Sequence, residues 1–343
     1  SMILSQMILS QSLVVGLLTT PHTRRWIPRP NPQAAVTVYQ EPELYDLAFC
    51  YRDFEGEVDF LFKAHERHAD PPRRPDSVLE IAAGPARHVI TAATRSPTSF
   101  RCLALDNCPE MVAYGQGIAT ELGVPLQYLK GDMADFSLGA DGVIELTNGG
   151  GGALLVDSVW CLLGSTAHLL TGERFEGMLR SASAALSPGG TLILEMSHPR
   201  ETFRLDDVTE EGWDVPFGDN PLGLGEGDCI LGIQWGSEDD VFDPMTQIKD
   251  TTVEFTVARG RKDDGDDDAP DESHQQDVTY EDVHVVKQVV PQRAFTPQEV
   301  IALVRLSGSF EAPTFYGAME GDPFVEADDL ENAYRLVAVL RRK

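Results

Sequence analysis

One stretch, Ser77-Val-Leu-Glu-Ile-Ala-Ala-Gly-Pro-Ala-Arg-His-Val-Ile90, constrains the fold of this chain more than any other. Ser77 to Ile81 is apolar and partly β-branched and follows the breaker-rich segment Pro71 to Pro75, which predicts a short buried strand. Ala82 to Ala86 is a run of small residues, and Arg87 to Ala93 predicts the start of a helix. A strand, a small-residue turn and a helix in succession bring main-chain N–H groups and a helix N-terminus up to a ligand. The 343 residues are enough for one large domain or two ordinary ones.

Two ligand patterns compete for this turn. The dinucleotide pattern G-x-G-x-x-G, laid on Ala82, Gly84 and Arg87, keeps one glycine of three and puts a long side chain where helix and strand must pack closely. The pattern acidic-x-Gly-x-Gly-x-Gly falls on Glu80, Ala82, Gly84 and Ala86 and keeps every turn position small. Phe100 to Asp106 predicts the second strand. Its terminal acid stands about 20 residues beyond the turn, where a carboxylate can accept from both hydroxyls of a ribose. Asp106 or Asn107 can equally cap the helix that carries Pro109, Glu110 and Met111. Leu126 to Asp135 predicts the third strand and its exit. There Gly131-Asp132-Met133 reads as a plain turn carrying an acid, a group whose chemistry can accept from an exocyclic amine.

The remaining chain continues the alternation and then breaks it. Apolar residues recur at helical spacing from Glu43 to His68. Four glycines at 149–152 mark a flexible insertion, and Leu154 to Leu163 predicts the fourth strand. Phe175 to Leu186 predicts a helix, and Ser187-Pro-Gly-Gly-Thr-Leu-Ile-Leu-Glu195 a turn and a buried strand ending near His198. From 200 to 290, short β-like runs at 229–235, 251–257 and 283–290 replace the α/β pattern. Residues 261–282 hold ten Asp or Glu, without the spacing of a calcium loop, and read as a solvated hairpin tip. Thr296, Pro297 and Glu299 then open a helix with a capping box, and Gly308 closes it. Phe310 to Tyr316 and Tyr334 to Leu340 predict the last two strands.

Taken in order, these motifs resemble class I S-adenosylmethionine (SAM) methyltransferases that act on small molecules. The resemblance rests on L-E-x-x-x-G-x-G-R-H at 79–88 (Ala standing for the second glycine), Y-D-x-x-F-x-x-R-D-F at 45–54, G-S-x-x-H-L-L at 164–170, Leu-Ser-Pro-Gly-Gly at 186–190 and R-x-F-T-x-x-E-V at 293–300. It implies an α/β fold: a Rossmann-like, doubly wound, seven-stranded mixed sheet with an inserted antiparallel β-rich cap. The core is then 39–200 plus 291–343, the cap 201–290 with the acidic loop 261–282, and 1–38 an N-terminal arm or leader. The cofactor implied is SAM, leaving S-adenosylhomocysteine. Tyr45 and Arg52 would reach its methionine end, Glu80, Ala82 and Gly84 form the first motif, and Asp106 and Asn107 meet the ribose. Met111, Asp132 and Met133 would meet the adenine, with Leu162 a further cofactor contact. His198 and His168 are the candidates for substrate contact or proton acceptance, and Trp213, Trp235 and Arg293 for substrate binding. Arg52 has an alternative in a surface ion pair with Glu55 or Asp53, and Trp213 and Trp235 in core packing. Ala82 and Ala86 depart from the family pattern, which keeps open a degenerate, non-catalytic SAM-binding scaffold. An NAD(P)-dependent oxidoreductase fits the glycine spacing and Pro188-Gly-Gly less well.

Charge and composition bound the partners. A formal net charge of −28 argues against nucleic acid, which needs a basic footprint, and suits a small-molecule substrate, an amine included. Five cysteines show no C-x-x-C and no clustering with His, so no metal site is expected. No apolar run approaches the roughly 20 residues that cross a bilayer. The expected location is cytoplasmic, with organelle targeting by residues 1–40, which lack Asp and Glu, as the alternative. A homodimer is compatible with this reading.

Overall fold

A computed structural model describes residues 37–139, 155–202, 211–217, 229–262, 278–322 and 324–343. The arm up to 36, the four-glycine insertion and the acidic tip at 263–277 lie outside the described residues. The main sheet is built from β1 (Ser77–Ile81), β2 (Arg101–Asp106), β3 (Gln127–Lys130), β4 (Val156–Cys161) and β5 (Leu186–Ser197), joined near the C-terminus by β11 (Thr314–Gly321), β12 (Phe324–Glu326) and β13 (Arg335–Arg341). Its order is β12-β11-β13-β5-β4-β1-β2-β3. β5, β4, β1, β2 and β3 run parallel, whereas β13 pairs antiparallel with β5. The seven expected strands are thus present, with the three-residue β12 added at one edge.

The helices follow from local signals. α1 (Pro42–Ala48) and α2 (Phe54–His68) replace the single expected helix, because the Asp53 side chain accepts from Gly56 N–H at 3.0 Å and starts a second helix. α3 (Arg87–Thr94) follows β1, and α4 (Pro109–Glu121) follows β2 with Pro at its first position. α5 (Gly172–Ala185) and α7 (Pro297–Ser307) are each capped by a threonine hydroxyl, Thr171 and Thr296. The expected capping box at α7 is half made: the Glu299 carboxylate instead takes Arg293. The Pro188-Gly-Gly turn is drawn into the beginning of β5, where Gly189 has φ +76°. A short α6 (Pro199–Thr202) leaves the end of β5.

Beyond α6 the chain forms a second sheet, β10-β9-β7-β6, from β6 (Glu211–Phe217), β7 (Cys229–Trp235), β9 (Ile248–Lys262) and β10 (Val278–Arg293), with the two-residue β8 (Phe242–Asp243) beside β9. All of these pairs are antiparallel. Alternate residues Leu231, Ile233, Val253, Phe255, Val257, Val286 and Val290 are buried and pack against Leu44 and Ala48 of α1. α1 therefore lies between the cap sheet and the end of the main sheet where β1 and β2 stop.

Candidate active site

β1 has β2 on one side and β4 on the other, so the chain leaves β1 at the switch point of the parallel sheet, where open α/β folds bind ligands. The loop there is unusual in its backbone. Ala82, Gly84 and Ala86 have φ of 51°, 53° and 58°, so every second residue is left-handed. Only glycine adopts that region freely, and the acidic-x-Gly-x-Gly-x-Gly spacing is the pattern that supplies it. The central peptide is held from both sides. Gly84 N–H donates to Asp106 Oδ2 at 2.8 Å, and Tyr128 Oη–H donates to the Gly84 carbonyl. Asp106 Oδ1 accepts from Cys108 N–H at 2.8 Å, so this carboxylate both fixes the loop and opens α4. Burial pushes the Asp106 carboxyl above its ordinary range, opposed by those N–H donors.

A cavity of about 30 Å³ lies under α1, walled by Tyr45 and Phe49, by Ala82 to Pro85, and by Leu162, Leu163 and Ser165 after β4. It has room for one or two waters. Met111 is buried beside it, with its sulfur 4.0 Å from where a Gly84 Cβ would stand. Asn107 is exposed at the α4 entrance. α1 is tied down on both faces. Asp46 accepts from Arg87 through Nε, at 2.7 Å, and Nη2, and from Tyr114 Oη at 2.9 Å. From the cap, Trp213 Nε1–H donates to Ala48 O at 2.9 Å, and His284 pairs with Glu41 at 3.4 Å.

Below the cavity runs a chain of alternating buried charges. Glu80 lies 3.5 Å from His88 Nδ1 and accepts from Val89 N–H at 2.9 Å. His88 Nε2 meets Glu57 at 2.7 Å, Glu57 meets Arg52 at 2.9 Å, and Arg52 meets both oxygens of Glu195 at 3.0 and 3.1 Å. Glu195 also accepts from Leu163 N–H at 2.8 Å and lies 3.3 Å from Arg335 Nε. Burial alone would depress His88, but the Glu57 and Glu80 carboxylates outweigh it and its pKa is pushed up to about 9. Burial likewise opposes the charge on Arg52, and the Glu195 and Glu57 carboxylates restore it, so the guanidinium stays charged.

The expected site residues therefore divide. Tyr45, Glu80, Ala82, Gly84 and Leu162 line the cavity, and Asp106 and Met111 adjoin it. Arg52 is neither a surface pair with Glu55 or Asp53 nor free toward the cavity, since Glu57 and Glu195 engage it. Asp132 is taken up by Arg174 at 2.8 and 2.9 Å, and Met133 packs against the main core. Both ring nitrogens of His198 are committed to backbone: Nε2 lies 2.9 Å from Ala327 O, and Nδ1 accepts from Arg200 N–H at 3.2 Å. His168 Nε2 is 3.2 Å from the Tyr39 hydroxyl, and burial lowers its pKa, which leaves the ring neutral. Trp213 and Trp235 pack edge-on against Phe49, and Arg293 lies over Phe295 and bonds Glu299 at 2.5 Å. Asp46, Phe49, Phe54, Arg87 and Tyr39 were not singled out by sequence reasoning. For Asp46 and Arg87 a signal existed, since each sits inside a motif beside a residue that was.

No family model and no curated protein matches the sequence. Solved structures do match. A SAM-dependent methyltransferase from Clostridium acetobutylicum ATCC 824 aligns over 89% of this chain and 98% of its own, with TM-score 0.55 and 13% identity. CalS10, an amino pentose methyltransferase from Micromonospora echinaspora, aligns over 92% and 100%, with TM-score 0.54 and 18% identity. KedS8, a sugar N-methyltransferase from Streptoalloteichus sp ATCC 53650, aligns over 97% and 100%, also at 0.54 and 18%. From the switch-point loop to the cap sheet, this chain has the fold of the class I SAM-dependent methyltransferases.

Proposed function

We propose that this protein transfers a methyl group from SAM to a nitrogen, or to an oxygen or sulfur, of a small molecule. The observation that carries the reading is the loop after β1. Its three alternate left-handed residues, with Gly84 held by Asp106 and Tyr128, present bare main chain at the switch point of a methyltransferase-type sheet. That KedS8 is a sugar N-methyltransferase and CalS10 an amino pentose methyltransferase favours nitrogen as the acceptor atom.

The residues present fit the nucleoside end of SAM. Asp106 keeps unused lone pairs for hydroxyls, and Met111 and Leu162 offer apolar walls. The cavity of about 30 Å³ is far below the roughly 300 Å³ of a small-ligand site, so α1 must shift for the cofactor to enter. Arg52 is taken up by Glu57 and Glu195, and Arg87, the guanidinium on the cavity wall, by Asp46, so a ligand carboxylate would compete with Asp46 for Arg87. SAM supplies the electrophilic methyl on its sulfonium. The chain's own part is to hold the acceptor in line and to exclude water beneath α1 and the cap. An amine need only arrive neutral. A hydroxyl needs a base, and the neutral His168 beside Tyr39 suits that role better than His198.

The test is incubation with methyl-labelled SAM against a panel of amino sugars, alkylamines and alcohols. Labelled product with stoichiometric S-adenosylhomocysteine supports the reading. Cofactor binding without transfer to any acceptor favours the non-catalytic scaffold, which the closed cavity under α1 keeps in play.

A further inference from the structure

A second cavity opens on the outer side of α1. It measures about 450 Å³, within the range of small-molecule sites, and lies between α1, α3, α4 and the Phe217 end of the cap strand β6. It shares Asp46, Phe54 and Arg87 with the small cavity over the loop, so these side chains form the partition between the two. None of the expected substrate residues reaches it.

Its lining is selective in charge. Asp46 is satisfied by Arg87 and Tyr114. Glu43, half-buried on the same wall one turn earlier in α1, has no hydrogen-bond or ion-pair partner among the described residues. Two carboxylates against one guanidinium leave the cavity with one uncompensated negative charge, placed on Glu43. Phe54 and Phe217 supply aromatic surface, and Leu47 an apolar one. A carboxylate lacking a cation beside aromatic rings is a constellation that binds an ammonium through a charge-assisted hydrogen bond and ring faces.

We propose that this groove takes an organic ammonium on an aromatic or apolar body, anchored by Glu43. The site stands independently of the methyl-transfer reading. The ammonium docks in its charged form, and the Asp46–Arg87 pair walls it off from the loop.

Cys50 is a built-in reporter, because it lines the groove and is the exposed member of the five cysteines. Its alkylation by iodoacetamide is followed by peptide mass spectrometry with 2-phenylethylamine as probe and 2-phenylethanol as the neutral isostere. The amine is expected to slow Cys50 alkylation saturably, with the alcohol at least about tenfold weaker. Glu43→Gln should weaken protection by the amine about tenfold and leave S-adenosylhomocysteine binding unchanged. Equal protection by the alcohol, no protection by the amine, or full protection in Glu43→Gln would overturn the assignment. Failure of the wild type to bind S-adenosylhomocysteine, with amine protection intact, would sink the methyl-transfer reading and keep the ammonium site.

Discussion

Asp106 Oδ2 accepts the Gly84 N–H at 2.8 Å, joining the end of β2 to the left-handed turn that ends β1. The same carboxylate takes Cys108 N–H through its other oxygen. Asp106→Ala strands two half-buried donors, each worth up to about 1–3 kcal/mol when fully buried. The expected outcome is a loss of about 2–3 kcal/mol in urea unfolding, together with at least about tenfold weaker S-adenosylhomocysteine binding.

Ala82 and Ala86 carry a methyl group into left-handed backbone, at φ 51° and 58°. That conformation costs roughly 1–2 kcal/mol for an L-residue, against about 0.5–1 kcal/mol for the greater freedom of glycine in the unfolded chain. Ala82→Gly is therefore expected to stabilise the fold by about 0.5–1 kcal/mol, whereas at Ala86, fully buried in the core, losing a methyl worth about 0.8 kcal/mol offsets the gain and a near-neutral change is expected. At Gly84 an added Cβ would meet Tyr45 at 3.9 Å and Met111 at 4.0 Å, both ordinary contacts. Gly84→Ala should then cost only the backbone strain, about 1–2 kcal/mol. Denaturation midpoints of the three variants check the signs.

Arg52 compensates two carboxylates, Glu57 and Glu195, with side-chain exposures of 6%, 16% and 2% in that order. Removing one partner of a buried pair leaves charge without compensation and costs about 3–5 kcal/mol. Arg52→Ala is expected to destabilise on that scale. Arg52→Lys should recover only part, since an ammonium cannot span the two carboxylates with the same fork of donors. If Arg52→Ala lost cofactor affinity at unchanged stability, the guanidinium would belong to the ligand rather than to the network.

His88 makes the stability of the fold depend on alkaline pH. Its pKa rises from an ordinary 6.5 to about 9 between Glu57 and Glu80. Its contribution is present in full below about pH 6.5 and fades as the pH climbs through about 9. Glu57 is shifted the other way. Burial raises it, but His88 and Arg52 hold it below its ordinary value, so its contribution fades only as the pH falls into the acid range. The unfolding free-energy gap between wild type and His88→Asn should be on the order of 2–3 kcal/mol near pH 6 and shrink toward pH 9.5. A gap that widened with pH would contradict a charged His88.

Much of the site was legible because its parts are local. Positions 82, 84 and 86 are small since the turn is left-handed at each, and the Asp106 carboxylate sits at the strand end that the spacing predicts. The break between α1 and α2 was hidden because apolar spacing runs through it, while the Asp53 cap that divides them looks like any surface acid. The fates of Arg52, Asp132 and His198 were not legible, because each is decided by a partner far along the chain: Glu195, Arg174 and Ala327. A motif specifies which residue type stands at a strand end. It does not specify which other charge the fold brings against it.

The most direct measurement is calorimetric titration of the full chain with S-adenosylhomocysteine, with NADH as control. A SAM site predicts micromolar binding of the first and none of the second. At a hundred times the dissociation constant the ligand should also raise the unfolding free energy by about 2.7 kcal/mol. Binding of NADH, or of neither ligand, would contradict it.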